Sequence, residues 1–213
     1  MLRYLYAADL HRFPRLARSM FTDRADQFAR RLGWEVTVDA SGEERDQYDA
    51  LNPLYVIWER PDGLHGGSMR FLPTTGRTMV NEHFSALNDG HAITSPFIWE
   101  CTRFCLSPDA DRRAAPALAL GAGEIMAHLN LTHFVGVFDT RMERIYRLMG
   151  LVPEVLGRSG EGRDAIGVGL WSMDEGAFEP TLAKVGIDRA TSRGWLRYAL
   201  ALGGGAPRLA EAV

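Results

Sequence analysis

Two arginines set inside apolar runs constrain this chain more than any other feature. Arg70 stands between Met69 and Phe71 in residues 67–72, and Arg103 stands in residues 99–104, which read Trp-Glu-Cys-Thr-Arg-Phe. Segments this hydrophobic become buried strands, and a buried charge without a partner costs several kcal/mol. A fold that buries both strands must therefore bring carboxylates to them. Asp46 and Asp49 sit together in one turn ahead of a strand, and Glu100 lies three residues before Arg103. A third cation, Arg24, is four residues from Phe28, so a guanidinium and an aromatic wall share one helix face. Three arginines and three carboxylates can satisfy one another. On the residues alone, this is either a structural ion-pair network or a functional site.

Periodicity gives the frame around these charges. Residues 2–7 read as a first strand, followed by helices over 10–21 and 24–32, the second ended by Gly33. Extended segments follow at 34–38, 54–60 and 67–72, separated by Asn52-Pro53 and Pro61-Asp-Gly63, as in an antiparallel sheet. Residues 98–106 continue as strand. Residues 114–129 form a helix with Pro116 in its first turn. Strand 133–138, helix 141–149 ended by Gly150, strand 165–171 and helix 174–185 complete an alternation that requires some parallel pairing. The expected fold class is α/β (α+β), a mixed twisted sheet carrying helices, in a single domain over 1–203. Residues 204–213 form an expected disordered tail.

Composition narrows the function classes. A net charge of −3 without long blocks of one sign suggests neither nucleic-acid nor membrane binding. The absence of any long apolar run leads to the expectation of a cytoplasmic protein. The six histidines show no metal-ligand spacing, so no metal is expected. Cys101 and Cys105, four apart, would share one strand face too far apart to bridge, and read as small buried thiols.

The series Arg24-x3-Phe28-x5-Trp34, Asp46-x2-Asp49, Arg70-x-Leu72-Pro-Thr74, Phe84 and Trp99-Glu100-x2-Arg103-Phe104 resembles the autoinducer synthases of the LuxI type, over roughly residues 1–150. The resemblance implies a fold similar to the GNAT acetyltransferases, with helices on both faces of the sheet. It implies a reaction between S-adenosylmethionine, a co-substrate, and an acyl thioester on acyl carrier protein or coenzyme A. The products would be an acyl-homoserine lactone, methylthioadenosine and the free carrier thiol. No cofactor is expected. Positions matching Arg24, Phe28, Trp34, Asp49, Arg70, Phe84 and Phe104 would form the S-adenosylmethionine pocket and its support, and Asp46, Glu100 and Arg103 the catalytic group.

These types suit a ligand carrying an ammonium, a carboxylate and a sulfonium, which calls for carboxylates, arginines and aromatic faces. Acylation needs a neutral amine, hence a proton acceptor, for which Glu100 is the first candidate and Asp46 the second. An arginine-paired carboxylate is a poor base, whereas burial raises its pKa toward the working range. Lactonisation needs the chain held curled, so that the substrate carboxylate reaches the carbon bearing the sulfonium. Strand 133–138 is the expected acyl tunnel, with Gly136 and Phe138 on one face and Val135 and Val137 on the other. Two rival readings are an N-acyltransferase of the same fold using acyl-CoA and a non-catalytic small-molecule sensor. The former should carry a glycine-rich pyrophosphate loop at a helix start. Only Gly121-Ala-Gly123, inside a helix, offers one.

Overall fold

The extended segments pair into one seven-stranded sheet. The computed structural model describes residues 1–162, 165–173 and 178–202. The strands are β1 (Leu2–Tyr6), β2 (Leu54–Glu59), β3 (His65–Pro73), β4 (Ile98–Leu106), β5 (His133–Asp139), β6 (Glu154–Ser159) and β7 (Ile166–Trp171), ordered β1-β2-β3-β4-β5-β7-β6. All neighbours are antiparallel except β4 and β5. A parallel pair needs a crossover, and helix α3 (Ala114–His128) provides it.

Helices cover both faces, as β2 already signals by being buried along nearly its whole length. On one face α3, α5 (Phe178–Val185) and α6 (Arg189–Leu202) pack Leu118, Ile125, Leu182 and Leu196 against Val56, Trp58, Phe71 and Phe134. On the other, α1 (Pro14–Ala25) packs Leu16, Met20 and Phe21 against Leu5, Tyr55 and Ile57. Farther along that face, Val80 of the short α2 (Met79–His83) meets Val135 and Val168. Gly121 and Gly123 serve packing within α3. A Cβ at Gly121 would lie 2.6 Å from the Val56 side chain, and one at Gly123 would lie 2.8 Å from the Phe178 ring.

The structure departs from expectation in definable places. The two helices expected over 10–32 are one: α1 begins at Pro14 and runs on through a wider turn over Asp26–Arg31. Nothing between Phe21 and Arg24 breaks it. Residues 34–38 are not a strand; only a single bridge joins Val38 to Glu44, because no sheet edge lies alongside to pair with. Strand β6 and helices α2 and α6 are additions. Helix α4 (Met142–Met149) ends as expected on Gly150, at φ 78°. The start of the helix expected from residue 174 and the tail from residue 203 lie outside the described residues.

Candidate active site

The register between β3 and β4 builds the charged site. Ser68 pairs with Cys105 and Arg70 with Thr102, so β4 carries one residue more than β3 across this interval. The extra residue is a bulge at Arg103, whose φ of 54° is left-handed. A bulge shifts the alternation of side chains, so Thr102 and Arg103 both face α1. Arg70, on the same face, donates from Nε to Thr102 Oγ1 at 3.0 Å. The same shift separates the cysteines, a correction to the expected shared face. Cys101 joins the α3-side core, while Cys105 lies fully buried near Asp23 and Arg24. Burial pushes both thiols up to about 12.

The three arginines meet three carboxylates, and one of them differs from the expected set. Arg24 donates to Glu44 at 2.6 Å and to both Asp49 oxygens at 3.1 and 3.0 Å. Arg70 donates to both Asp46 oxygens and to Asp49 Oδ1 at 2.8 Å. Arg103 reaches Glu44 at 3.0 Å and Asp46 at 2.8 Å. Glu44, 0% exposed, therefore completes the network in place of Glu100. It lies in the run Glu43-Glu44-Arg45, which reads as surface. Burial pushes the Asp49 carboxyl up, but Arg24 and Arg70 more than reverse this and hold it below the usual carboxylate range. Tyr55 also donates to Asp49, at 2.5 Å.

Among the described residues, Glu100 pairs with no arginine at ion-pair distance. Its buried carboxylate accepts the backbone N–H groups of Met79 and Val80 at 3.1 and 2.6 Å, at the start of α2. Burial raises its pKa, and these two hydrogen bonds reverse only part of that.

The pairing of β4 with β5 stops after Glu100 and Val135, and beyond it a cavity of about 1110 Å³ opens between the strands. On the α1 side its wall includes Phe28, Trp34, Asp46, Phe84 and Arg103. Trp34 is 43% exposed and stacks on Phe28 at 5.2 Å, and the Arg103 guanidinium lies over the Phe28 ring. On the α3 side the wall includes Phe104, Met126, Phe134, Gly136, Phe138 and Trp171. Phe104 thus lies across the sheet from Arg103. Arg24, Glu44, Asp49, Arg70 and Glu100 stand behind the wall: Arg70 and Asp49 reach it through Asp46, Arg24 through Glu44 and then Arg103, and Glu100 through Met79. Among the described residues, no cluster of His, Cys, Asp and Glu suits a metal, and no helix is long and apolar enough to cross a membrane.

Comparison with known proteins decides what this arrangement belongs to. The family described as autoinducer synthase matches residues 11–181, most of the chain. The chain belongs to that family. An acyl-homoserine-lactone synthase of Rhizobium etli is 39% identical over 180 residues, covering 81% of this chain and 84% of the relative. Among solved structures, the CoA-dependent acyl-homoserine lactone synthase BjaI, determined with SAM and isopentyl-CoA, has a TM-score of 0.78 at 21% identity, covering 88% of this chain and 90% of its own. A putative N-acetyltransferase from Lactobacillus plantarum has a TM-score of 0.53 at 15% identity, covering 81% of this chain and 99% of its own, a likeness of fold. The autoinducer synthase therefore has a GNAT-like α/β fold and is an acyltransferase that makes acyl-homoserine lactones. That activity stands ahead of the rival readings, a plain N-acyltransferase and a sensor. The match extends past residue 150, so it takes in the α4 and β7 side of the cavity as well.

Proposed function

We propose that the α1 side of the cavity holds S-adenosylmethionine and the α3 side holds the acyl chain, the thioester carbonyl lying where β4 and β5 part. The observation that carries this is the two-sided wall, charged and aromatic on one side of the sheet and apolar on the other. Phe28, Trp34 and Phe84 offer aromatic faces to the sulfonium and adenine, while Asp46 and Arg103 offer opposite charges to the amine and carboxylate. Arg24, Asp49, Arg70 and Glu44 are positioning residues that hold this pair. Phe104, on the α3 side with Gly136 and Phe138, belongs with the acyl chain rather than with S-adenosylmethionine.

In this reading the amine of S-adenosylmethionine attacks the thioester carbonyl, forming the amide and releasing the carrier thiol. Glu100 takes the proton through a bridging water, because its raised pKa and the lack of an arginine partner among the described residues suit it better than Asp46, which two arginines hold. The substrate carboxylate then attacks the carbon bearing the sulfonium. The lactone closes, and methylthioadenosine leaves as a neutral thioether without needing an acid. Confinement of the curled chain supplies most of this second step. The donor is acyl carrier protein or coenzyme A, and BjaI, a CoA-dependent synthase determined with SAM and isopentyl-CoA, supports the coenzyme A side of the reading. Purified protein incubated with S-adenosylmethionine and each acyl thioester should yield lactone and methylthioadenosine in equal amounts by mass spectrometry. Amide without lactone would contradict the second step.

A further inference from the structure

Helix α2 is capped from outside itself. Its N-cap residue, Thr78, has the extended backbone of a cap, φ −140° and ψ 151°, and a hydroxyl that at such a position ordinarily accepts the N–H of the second or third helical residue. It makes no such bond. The Val80 N–H goes instead to Glu100 Oε1 at 2.6 Å, and the Met79 N–H to Glu100 Oε2 at 3.1 Å. Thr78 is 0% exposed, and its Oγ1 has no hydrogen-bond partner among the described residues. A buried hydroxyl left unpaired costs free energy and calls for a reason.

The helix itself is fixed by contacts that do not involve Glu100. Asn81 exchanges two hydrogen bonds with the Ile93 backbone, at 2.9 and 2.8 Å, and Glu82 accepts from Tyr48 at 2.8 Å and from Arg77 at 2.6 Å. α2 therefore stays in place when Glu100 changes state. A carboxylate accepts both N–H groups at once. A neutral carboxyl accepts well at one oxygen and must aim its new O–H at an acceptor, so one N–H group loses its partner. Met79 is half-buried on the cavity wall, where water can take its N–H, but the Val80 N–H is buried and needs an acceptor from the protein. Thr78 Oγ1 is the acceptor that N-cap geometry places there.

We propose that Thr78 is a positioning residue that takes over the Val80 N–H while Glu100 is protonated, so that the start of α2 stays capped through the proton transfer. The inference rests on the reading of Glu100 as the proton acceptor. In the resting enzyme the carboxylate holds both N–H groups. As the substrate amine gives its proton through water to Glu100, the neutral carboxyl releases the Val80 N–H, and rotation about χ1 brings Thr78 Oγ1 onto it. When Glu100 returns that proton to solvent, the carboxylate takes the N–H back. Arg70 and Asp46 act on the Glu100 charge through space with opposite signs, and they are tied to each other throughout. Tyr48 and Cys101 nearby stay neutral, because burial raises both.

The test compares Thr78→Val, which keeps the shape and removes the hydroxyl, in two backgrounds of the full chain. In the otherwise wild-type protein it should leave Tm within about 1 °C or raise it, since it removes an unpaired buried group. In Glu100→Ala, where Thr78 already caps Val80, the same substitution should lower Tm by about 2–4 °C. If Glu100→Ala does not fold, Glu100→Gln replaces it, because its amide nitrogen cannot accept and so frees one N–H group. Single-turnover amide formation should slow about tenfold in Thr78→Val, with the Kd for S-adenosylmethionine unchanged, and Thr78→Ser should restore the rate. An equal Tm change in both backgrounds, or amide formation by Thr78→Val at the wild-type rate, would overturn the proposal. Glu100→Gln with wild-type turnover would instead overturn the acceptor reading beneath it, whatever the Tm comparison shows.

Discussion

At the scale of single residues, Arg103 concentrates the argument. Its left-handed backbone costs about 1–2 kcal/mol, and it is held there because the bulge aims its planar fork at Glu44 and Asp46 together. Lysine keeps the charge but cannot span two carboxylates in one plane. Arg103→Lys should therefore fold, yet lose about 100-fold or more in kcat; near wild-type turnover would refute the paired-network account. Glu100 makes a separable prediction. With its pKa raised above 4.5, activity that needs the carboxylate falls as pH drops through that raised value. Glu100→Gln should lose most activity and also the acid limb of the kcat/KM profile. A variant keeping that limb would move the proton acceptor to Asp46. Residue chemistry made Arg24, Arg70, Asp46 and Asp49 legible in the sequence, since charges in apolar strands must be matched. Glu44 was not legible, because a carboxylate between Glu43 and Arg45 looks like any solvated loop. The bulge was hidden as well, for no glycine marks it.

At the scale of elements, long periodic segments were legible and short or interrupted ones were not. α3, β4 and β5 are long apolar segments, although the bulge at Arg103 breaks the alternation of β4, and the parting of β4 from β5 makes the cavity. β6 escaped notice because Glu-Val-Leu-Gly-Arg-Ser is a polar edge strand broken by Gly157. α2 has only five residues, too few for a helical period to show. The glycine that hid β6 is what lets it fit: its register shifts between Val155 and Gly157, and a Cβ at Gly157 would lie 2.0 Å from the Leu87 carbonyl oxygen. Backbone cannot yield as a side-chain tip does. Gly157→Ala should therefore destabilise the protein by about 1–3 kcal/mol, read as a lower Tm, and it should do so with little change in S-adenosylmethionine affinity. An unchanged Tm would mean that this turn is looser than the packing indicates.

At the scale of the whole molecule, two charge arrangements set how the protein meets its surroundings. His65 is fully buried, with Nδ1 bonded to Asp23 at 2.7 Å and Nε2 without a hydrogen-bond partner among the described residues. Burial lowers its pKa below 6.5, and Asp23 reverses only part of that. The unfolded chain therefore binds this proton at a higher pH than the folded one, so stability present above about 6.5 is lost as pH falls toward the folded value. Tm should fall between pH 7.5 and 5.5, with a shallower slope in His65→Gln; equal slopes would clear His65. The other arrangement is on α4. One side of this helix gives Met142, Ile145, Tyr146 and Met149 to the cavity, while Arg144 and Arg147 are exposed. Arg141, three residues before Arg144, instead turns to Asp139, and Arg158 of β6 pairs with Glu143. The ridge is thus narrower than the three-residue spacing of Arg141, Arg144 and Arg147 would give, but it is basic, adjoins the cavity and belongs to a protein of net charge −3. If the acyl donor is acylated carrier protein, this ridge would meet its acidic surface. Arg144→Glu with Arg147→Glu should raise KM for acylated carrier protein steeply at low salt. The effect should shrink near 0.5 M, where screening shortens to roughly 4–5 Å, and S-adenosylmethionine binding should not change. Because rim charges act mainly on encounter, the loss should appear in kcat/KM rather than in kcat at saturation. Unchanged kinetics with acylated carrier protein at every ionic strength would leave the ridge as ordinary surface and point to coenzyme A as the donor.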